Sequence, residues 1–422
     1  MNGIRGLAGC VRSAAAAVAG FGAVGGGAVL GFGYALARTV VSARPRRNEG
    51  VRVLALYPDP DRAGEGSIEL QRTVESEPAG RYTFQWAGGA GVAILGETVT
   101  ATAYSVTRRY RGERGAPLLG VDAVKVRSAP QRDVRDLGMP FEEAEIETEL
   151  GPAPAWFVPA PEPLPGHWAV HVHGRGASRA EPLRTVPLAA ERGWHSLVVS
   201  YRNDPEAPTA PGLRYGLGLT EWRDVDAAIA WAVARGARRI VLAGWSMGGT
   251  IVGQTYLRSR YAPLVAGLML ESPAVDWRAV IEAQQIVGML PVASKRVGRW
   301  LLRARPGLAV MGLREPIDLD EVDLVARAQE LEVPVLLLHS AGDTVVPVGP
   351  SRTLARLRED IVQYEEFSGA RHVRLWNREP HRWERVVGDW FGERASRAIA
   401  EVGGGASVDE PRQPGSRRAR SR

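Results

Sequence analysis

The stretch Leu242-Ala-Gly-Trp-Ser246-Met-Gly248-Gly-Thr250 constrains this chain more than any other. Its serine lies between Gly244 and Gly248, after the apolar run 240–243 and before the apolar pair Ile251-Val252. That context predicts a strand, a sharp turn and a helix. Glycines on both sides let the backbone turn tightly and hold a serine hydroxyl clear of the sheet. With 49 glycines in 422 residues the pattern by itself is weak, so the surrounding sequence has to decide.

Three further segments decide it. Val333-Pro-Val-Leu-Leu-Leu-His339-Ser-Ala-Gly-Asp343 predicts a buried strand ending in a Gly-Asp turn. Gln363-Tyr-Glu-Glu-Phe-Ser-Gly-Ala-Arg371-His372 predicts a strand followed by a loop histidine. Trp168-Ala-Val-His-Val-His173-Gly174-Arg175-Gly176 predicts a strand running into a His-Gly loop. Serine, acid and histidine follow in the order Ser246, Asp343, His372. Together these segments resemble the α/β-hydrolase superfamily over roughly residues 141–396. Within it the likeness is to bacterial serine hydrolases of the esterase, lysophospholipase or prolyl-oligopeptidase-like kind.

The resemblance implies a mostly parallel α/β sheet with a helical cap and a serine–histidine–aspartate triad. A serine hydroxyl is a poor nucleophile until a base takes its proton. His372 would be that base, and Asp343 would orient its imidazole and stabilise the imidazolium. The backbone N–H groups of Met247 and Arg175 would hold the developing oxyanion, with Gly176 as the alternative to Arg175. Gly244 and Gly248 would be the elbow glycines. Asp276, after the preceding core strand, is the fallback acid, and His381 the fallback base. His339 reads as a packing residue or a partner of the acid. The loop departs from the His-Gly-Gly-Gly pattern of some lipases because Arg175 interrupts the glycine run, which argues against long triglycerides.

Other chemistries find little support. His171 and His173 are two apart in a strand and so share a face, but no further ligand cluster follows, and no metal is expected. Gly25-Gly-Gly and Gly88-Gly-Ala-Gly91 are not followed by a helix carrying a lysine, so no nucleotide and no other cofactor is expected. The net charge of +6 is carried by the ends: residues 1–50 hold six arginines against one glutamate, and residues 401–422 five arginines against three acids. The body is therefore near neutral, which argues against nucleic acid as a partner. The single cysteine, Cys10, excludes an internal disulfide framework. Leu7-Ala-Gly-Cys10 looks like a lipobox but lacks the apolar segment that should precede it.

The chain divides into four parts. Residues 1–44 contain 25 uncharged residues, 13–37, long enough for a transmembrane helix, so a membrane is an expected partner and a single-pass anchor the expected localisation. A cleaved signal ending near Val41-Ser-Ala43 and a flexible tail are the alternatives. The positive-inside rule leans toward a cytoplasmic body. Residues 45–140 predict a small β-rich domain from runs such as 51–57, 67–71, 81–86, 92–95, 98–106 and 121–126, separated by Gly, Pro and charged turns. Residues 141–398 predict the hydrolase domain. It opens with a hairpin around Gly151-Pro152, then alternates strands with helices near 180–192, 221–235 and 248–259, and inserts a helical cap at about 276–330. Residues 399–422 predict a disordered basic tail. The expected function is hydrolysis of a small-molecule or lipid-like carboxylic ester, less readily an amide. A non-catalytic membrane adaptor keeping the fold and an acyltransferase with the same triad are the competing readings.

Overall fold

The computed structural model describes residues 27–43, 50–283 and 292–404. The expected membrane span, 13–37, is divided by this boundary. Its first part, 13–26, lies outside the described residues. Its second part belongs to helix α1 (27–41), which docks on the protein: Ala37, Val40 and Val41 are buried in the main core. Two of its small residues, Gly33 and Ala37, are packing contacts. Gly33 lies so close to the helix spanning 292–303 that a β-carbon there would fall 2.6 Å from the Val297 side chain. After α1 the chain pairs with the hydrolase domain, Ala43 N–H donating to the Leu213 carbonyl (3.1 Å) and Tyr215 N–H to that of Val41 (2.8 Å). Among the described residues no helix is long and apolar enough to cross a membrane.

Six antiparallel strands then close into a barrel, in the order β1-β2-β5-β4-β3-β6. They are β1 (Val51–Pro58), β2 (Gly66–Gln71), β3 (Tyr82–Trp86), β4 (Gly91–Ala101), β5 (Ser105–Gly115) and β6 (Ala123–Arg127). Alternate residues point inward, among them Ile68 and Leu70 of β2 and Tyr82, Phe84 and Trp86 of β3, and closure leaves no free sheet edge. The segment 98–106, expected as one strand, is split between β4 and β5. Thr102 turns the chain by accepting from the N–H groups of Tyr104 (3.1 Å) and Ser105 (2.9 Å). The rest of β5 is masked in sequence by its arginines. One of them, Arg108, points inward and is fully buried, and its guanidinium donates to the carbonyls of Ser76 (3.3 Å), Pro78 (2.9 Å), Gly80 (2.5 Å) and Gly96. Burial pushes its pKa down to about 10.

The hydrolase domain is built on an eight-stranded sheet in the order β14-β13-β12-β11-β9-β10-β8-β7. Its strands are β7 (Glu142–Thr148), β8 (Gly151–Val158), β9 (His167–Val172), β10 (His195–Val199), β11 (Arg239–Trp245), β12 (Val265–Glu271), β13 (Val335–Ser340) and β14 (Val362–Phe367). Only β8 runs against its neighbours, pairing antiparallel with β7 and β10. β9 and β13 are buried along their whole length, the pattern of parallel strands covered on both faces. α2 (Val186–Ala190), α3 (Trp222–Ala234) and α4 (Met247–Arg258) supply part of that cover. The cap follows as α5 (Trp277–Glu282), α6 (Val292–Arg303) and α7 (Arg305–Met311), and α8 (Val348–Leu357), α9 (Leu375–Arg378) and α10 (Pro380–Gly404) complete the chain. Along β11, Ile240 and Leu242 join one core, while Val241, Ala243 and Trp245 join a second core of Trp194, Trp383, Trp390 and Phe391.

Three boundaries differ from expectation. The helix expected near 180–192 is a 3-10 turn, Glu181–Thr185, followed by the short α2, because Pro182 and Pro187 interrupt the backbone hydrogen bonding. The second half of the cap, 312–327, is turns rather than helix. Its carbonyl and carboxylate caps, such as Asp318 on Asp320 N–H and Asp323 on Val325 and Ala326 N–H, compete with helix formation. At the C-terminus α10 carries on to Gly404, through the first residues of the expected disordered tail; the remainder, 405–422, lies outside the described residues.

Candidate active site

β11 ends at Trp245 and α4 begins at Met247, so Ser246 makes the reversal alone, at φ 53° and ψ −116°. A serine held there costs about 1–3 kcal/mol and needs surroundings that over-determine it. Its N–H donates to the Glu271 carbonyl (3.0 Å), and its own carbonyl accepts from Gly249 (3.0 Å) and Ala274 (3.1 Å). A β-carbon on Gly244 would strike the Gly248 backbone, and one on Gly248 would strike the carbonyls of Val172 and His173. These two glycines are therefore demanded by the close approach of α4 to β11 and β9.

The structure brings Ser246, His372 and Asp343 together from three different connections. His372 Nε2 lies 2.8 Å from Ser246 Oγ, and its Nδ1 lies 2.7 Å from Asp343 Oδ2. With Nδ1–H donating to the carboxylate, Nε2 is left to accept the serine proton. The Asp343 side chain is fully buried, whereas His372 is 17% exposed toward the site. Asp343 Oδ1 accepts from the N–H groups of Val345 (2.8 Å) and Val346 (2.9 Å), and His339 Nε2 lies 3.3 Å from its Oδ2. Burial by itself would raise the carboxyl pKa. The hydrogen bonds from His339, His372 and the Val346 N–H outweigh it and hold the group far below the usual carboxylate range. The two fallback residues lie elsewhere: Asp276 caps α5 through the N–H groups of Arg278 and Ala279, and the side chain of His381 is 96% exposed.

The loop after β9 runs beside the serine, close enough that a β-carbon on Gly174 would lie 3.0 Å from that of Ser246. Gly174 N–H donates to Glu181 Oε2 (2.8 Å) and its carbonyl accepts from the Tyr201 hydroxyl (3.1 Å), so the peptide planes on both sides of Gly174 are fixed. The Arg175 side chain turns away from the serine. It donates to the carbonyls of Thr39 (2.7 Å) and Ser42 (2.9 Å), with its guanidinium over the Tyr215 ring. Met247 opens α4, where the helix dipole favours negative charge.

Beneath this loop are groups that sequence reasoning missed. Buried His173 has its Nε2 2.7 Å from Asp204 Oδ2 and stacks on Tyr201, whose hydroxyl donates to the Gly174 carbonyl (3.1 Å). Burial opposes charge on His173, yet the Asp204 carboxylate raises its pKa. His171 instead has its Nε2 3.0 Å from Ser196 Oγ and is pushed down to about 3 by burial, so the two histidines have separate partners. Behind the elbow, fully buried Glu271 accepts from Trp245 Nε1 (2.9 Å) and Trp383 Nε1 (3.0 Å), with Arg184 at 3.6 Å. An acid ending an otherwise apolar strand was the available signal for Glu271; Asp204 lies in a loop and Glu181 opens a 3-10 turn, and neither had one. Of two apolar stretches in the cap that could line an acyl pocket, 286–290 lies outside the described residues, and in 308–313 Met311 is packed in the main core. A cap cleft of about 300 Å³ under Trp300 has no triad residue in its lining.

Residues 176–373 match the family model described as alpha/beta hydrolase fold, just under half of the chain. Residues 52–125, almost the whole barrel, match a second model described as a domain of unknown function (DUF8805). With the eight-stranded sheet that begins at Glu142, the first match supports an α/β-hydrolase fold for this part of the chain. Among solved structures, an esterase of Pyrococcus furiosus is 18% identical with a TM-score of 0.47, covering 63% of this chain and 94% of its own. A thermophilic esterase from Thermogutta terrifontis is 18% identical with a TM-score of 0.41, covering 60% and 99%. An esterase from a Rhodococcus species is 19% identical with a TM-score of 0.40, covering 59% and 98%. No curated protein sequence matches the chain.

Proposed function

We propose that this chain is a serine carboxylesterase working through an acyl-enzyme. The observation that carries this reading is the hydrogen-bonded series Ser246–His372–Asp343, with the serine strained at the strand–helix turn. In the first half-reaction Ser246 Oγ attacks the ester carbonyl carbon while its proton passes to His372 Nε2. The carbonyl π electrons move onto oxygen, which the N–H groups of Met247 and Arg175 hold, each such donor contributing about 3 kcal/mol. Collapse expels the alkoxide, which takes the proton from His372 and leaves as an alcohol. Water then repeats the attack on the acyl-serine, passing a proton to His372. The second collapse releases the carboxylic acid and returns the proton to Ser246.

A fluorophosphonate probe and p-nitrophenyl esters of increasing acyl length test this on the full chain. Wild type is expected to be labelled and to turn over the short esters, and Ser246→Ala to lose both, with kcat falling by about 10⁴-fold or more. Undiminished turnover by Ser246→Ala would end the reading. A folded wild type that neither labels nor turns over any ester would favour the non-catalytic adaptor.

A second reading concerns the place of action. The first turns of α1 leave Leu30 61% and Phe32 49% exposed, directly after the uncharged run 13–26. This amino-terminal segment would hold the protein at a lipid surface, its apolar side chains giving up contact with water. Full-length protein should float with liposomes in a density gradient, and Leu30→Glu/Phe32→Glu should shift it toward the soluble fraction. Equal flotation of both would remove α1 from the account.

A further inference from the structure

The barrel touches the hydrolase domain at one consequential place, the segment 371–378 that carries His372. Asn377, 1% exposed, donates from Nδ2 to the carbonyls of Arg81 (2.6 Å) and Ser128 (2.8 Å), and its own carbonyl accepts from Arg81 N–H (2.8 Å). Arg81 lies over the Trp376 ring and Arg374 over the Tyr82 ring. Gly80 sits against the same backbone, at φ 127°, where a β-carbon would strike the Asn377 carbonyl. The barrel side of this contact is itself braced, because buried Arg108 holds the carbonyls of Ser76, Pro78 and Gly80 from within.

On the hydrolase side the same segment is under strain. Val373, next to the histidine, has φ 54°, a left-handed conformation that a β-branched side chain resists. Its N–H reaches Ser272 Oγ only at 3.4 Å. Before the histidine, Ser340 Oγ donates to the Ala370 carbonyl (2.6 Å). After it, the four-residue α9 is too short to hold its own place, and its buried Asn377 is tied to the barrel.

We propose that the barrel is a clamp for the catalytic histidine, and that Asn377 is the positioning residue through which it acts. This rests on the reading of His372 as the base. A histidine displaced by an ångström loses its alignment with Ser246 Oγ, which slows the chemical steps while leaving ester binding largely as it was. The barrel thereby has a role in the reaction without contacting the substrate.

The test uses full-length Asn377→Ala and Gly80→Ala, the first removing the donors from the hydrolase side and the second wedging the contact open from the barrel side. Both are expected to lower kcat and the rate of fluorophosphonate labelling by about tenfold or more, with KM within about twofold of wild type. Circular dichroism and the thermal midpoint identify variants that are folded. Should the buried substitutions fail to fold, Arg81→Ala decides, since Arg81 is exposed; it is expected to lower kcat by about threefold through loss of the contact with Trp376. Folded variants that keep wild-type kcat and labelling rate overturn the clamp, as does a fall confined to KM. Wild-type protein that is not labelled in the same run overturns the serine-hydrolase reading instead, and the clamp with it.

Discussion

Asp343 shows how much of the proposed triad lies in the support of one side chain. Both of its oxygens are engaged, by two backbone N–H groups and two histidines, and its pKa is depressed in the folded protein despite burial. A carboxyl depressed on folding stabilises the native state above its unfolded pKa, near 4, and that contribution is lost as the pH falls from there toward the folded value. Wild type and Asp343→Asn should therefore differ in urea midpoint by a constant amount between about pH 5 and 7, and the gap should close below about pH 4. A gap that widens on acidification would show that the carboxylate is not stabilised by folding. At this scale Ser246, Asp343 and His372 were legible because their order and their place after apolar runs are both written along the chain. Glu181 and Asp204 act only through partners that folding brings near, and acids in loops and turns look alike in sequence.

Elements show where local pattern ends and packing takes over. The central parallel strands β11, β12 and β13 were readable as apolar runs. β5 was not, since a buried arginine among exposed ones has the same letter as its neighbours. α1 is the sharper case. Its uncharged sequence suits lipid, yet Gly33, Ala37, Val40 and Val41 are placed against protein. The crossing with α6 has no room for a side chain at Gly33, where even a β-carbon would meet Val297 and the Ser294 carbonyl. Gly33→Leu should lower stability by about 1–3 kcal/mol, read as a lower urea midpoint, because overpacking there can be relieved only by levering α1 off the cap. An unchanged midpoint would mean that α1 contributes little to the fold.

At the scale of the whole molecule, the loops around Ser246 are held by parts of the chain that lie far away in sequence. The segment with His372 meets the barrel through a bond between residues 296 positions apart, and the Arg175 loop meets α1 across 136. Neither contact has a sequence signature: a glycine, an asparagine and two backbone carbonyls carry no pattern until folded. The domains could be told apart by composition and periodicity, but the relation between them could not.

The bonds from Arg175 to the carbonyls of Thr39 and Ser42 bear on how this protein can be shortened. A cut at residue 44 looks harmless if everything before it is a detachable anchor. It would take away both carbonyls, strip the partner strand from Leu213 and Tyr215, and leave the seats of Ala37, Val40 and Val41 open to water. An inactive product would then report a slackened Arg175 loop rather than a missing membrane, and a shortened form meant to keep this loop in place has to retain residues 27–43.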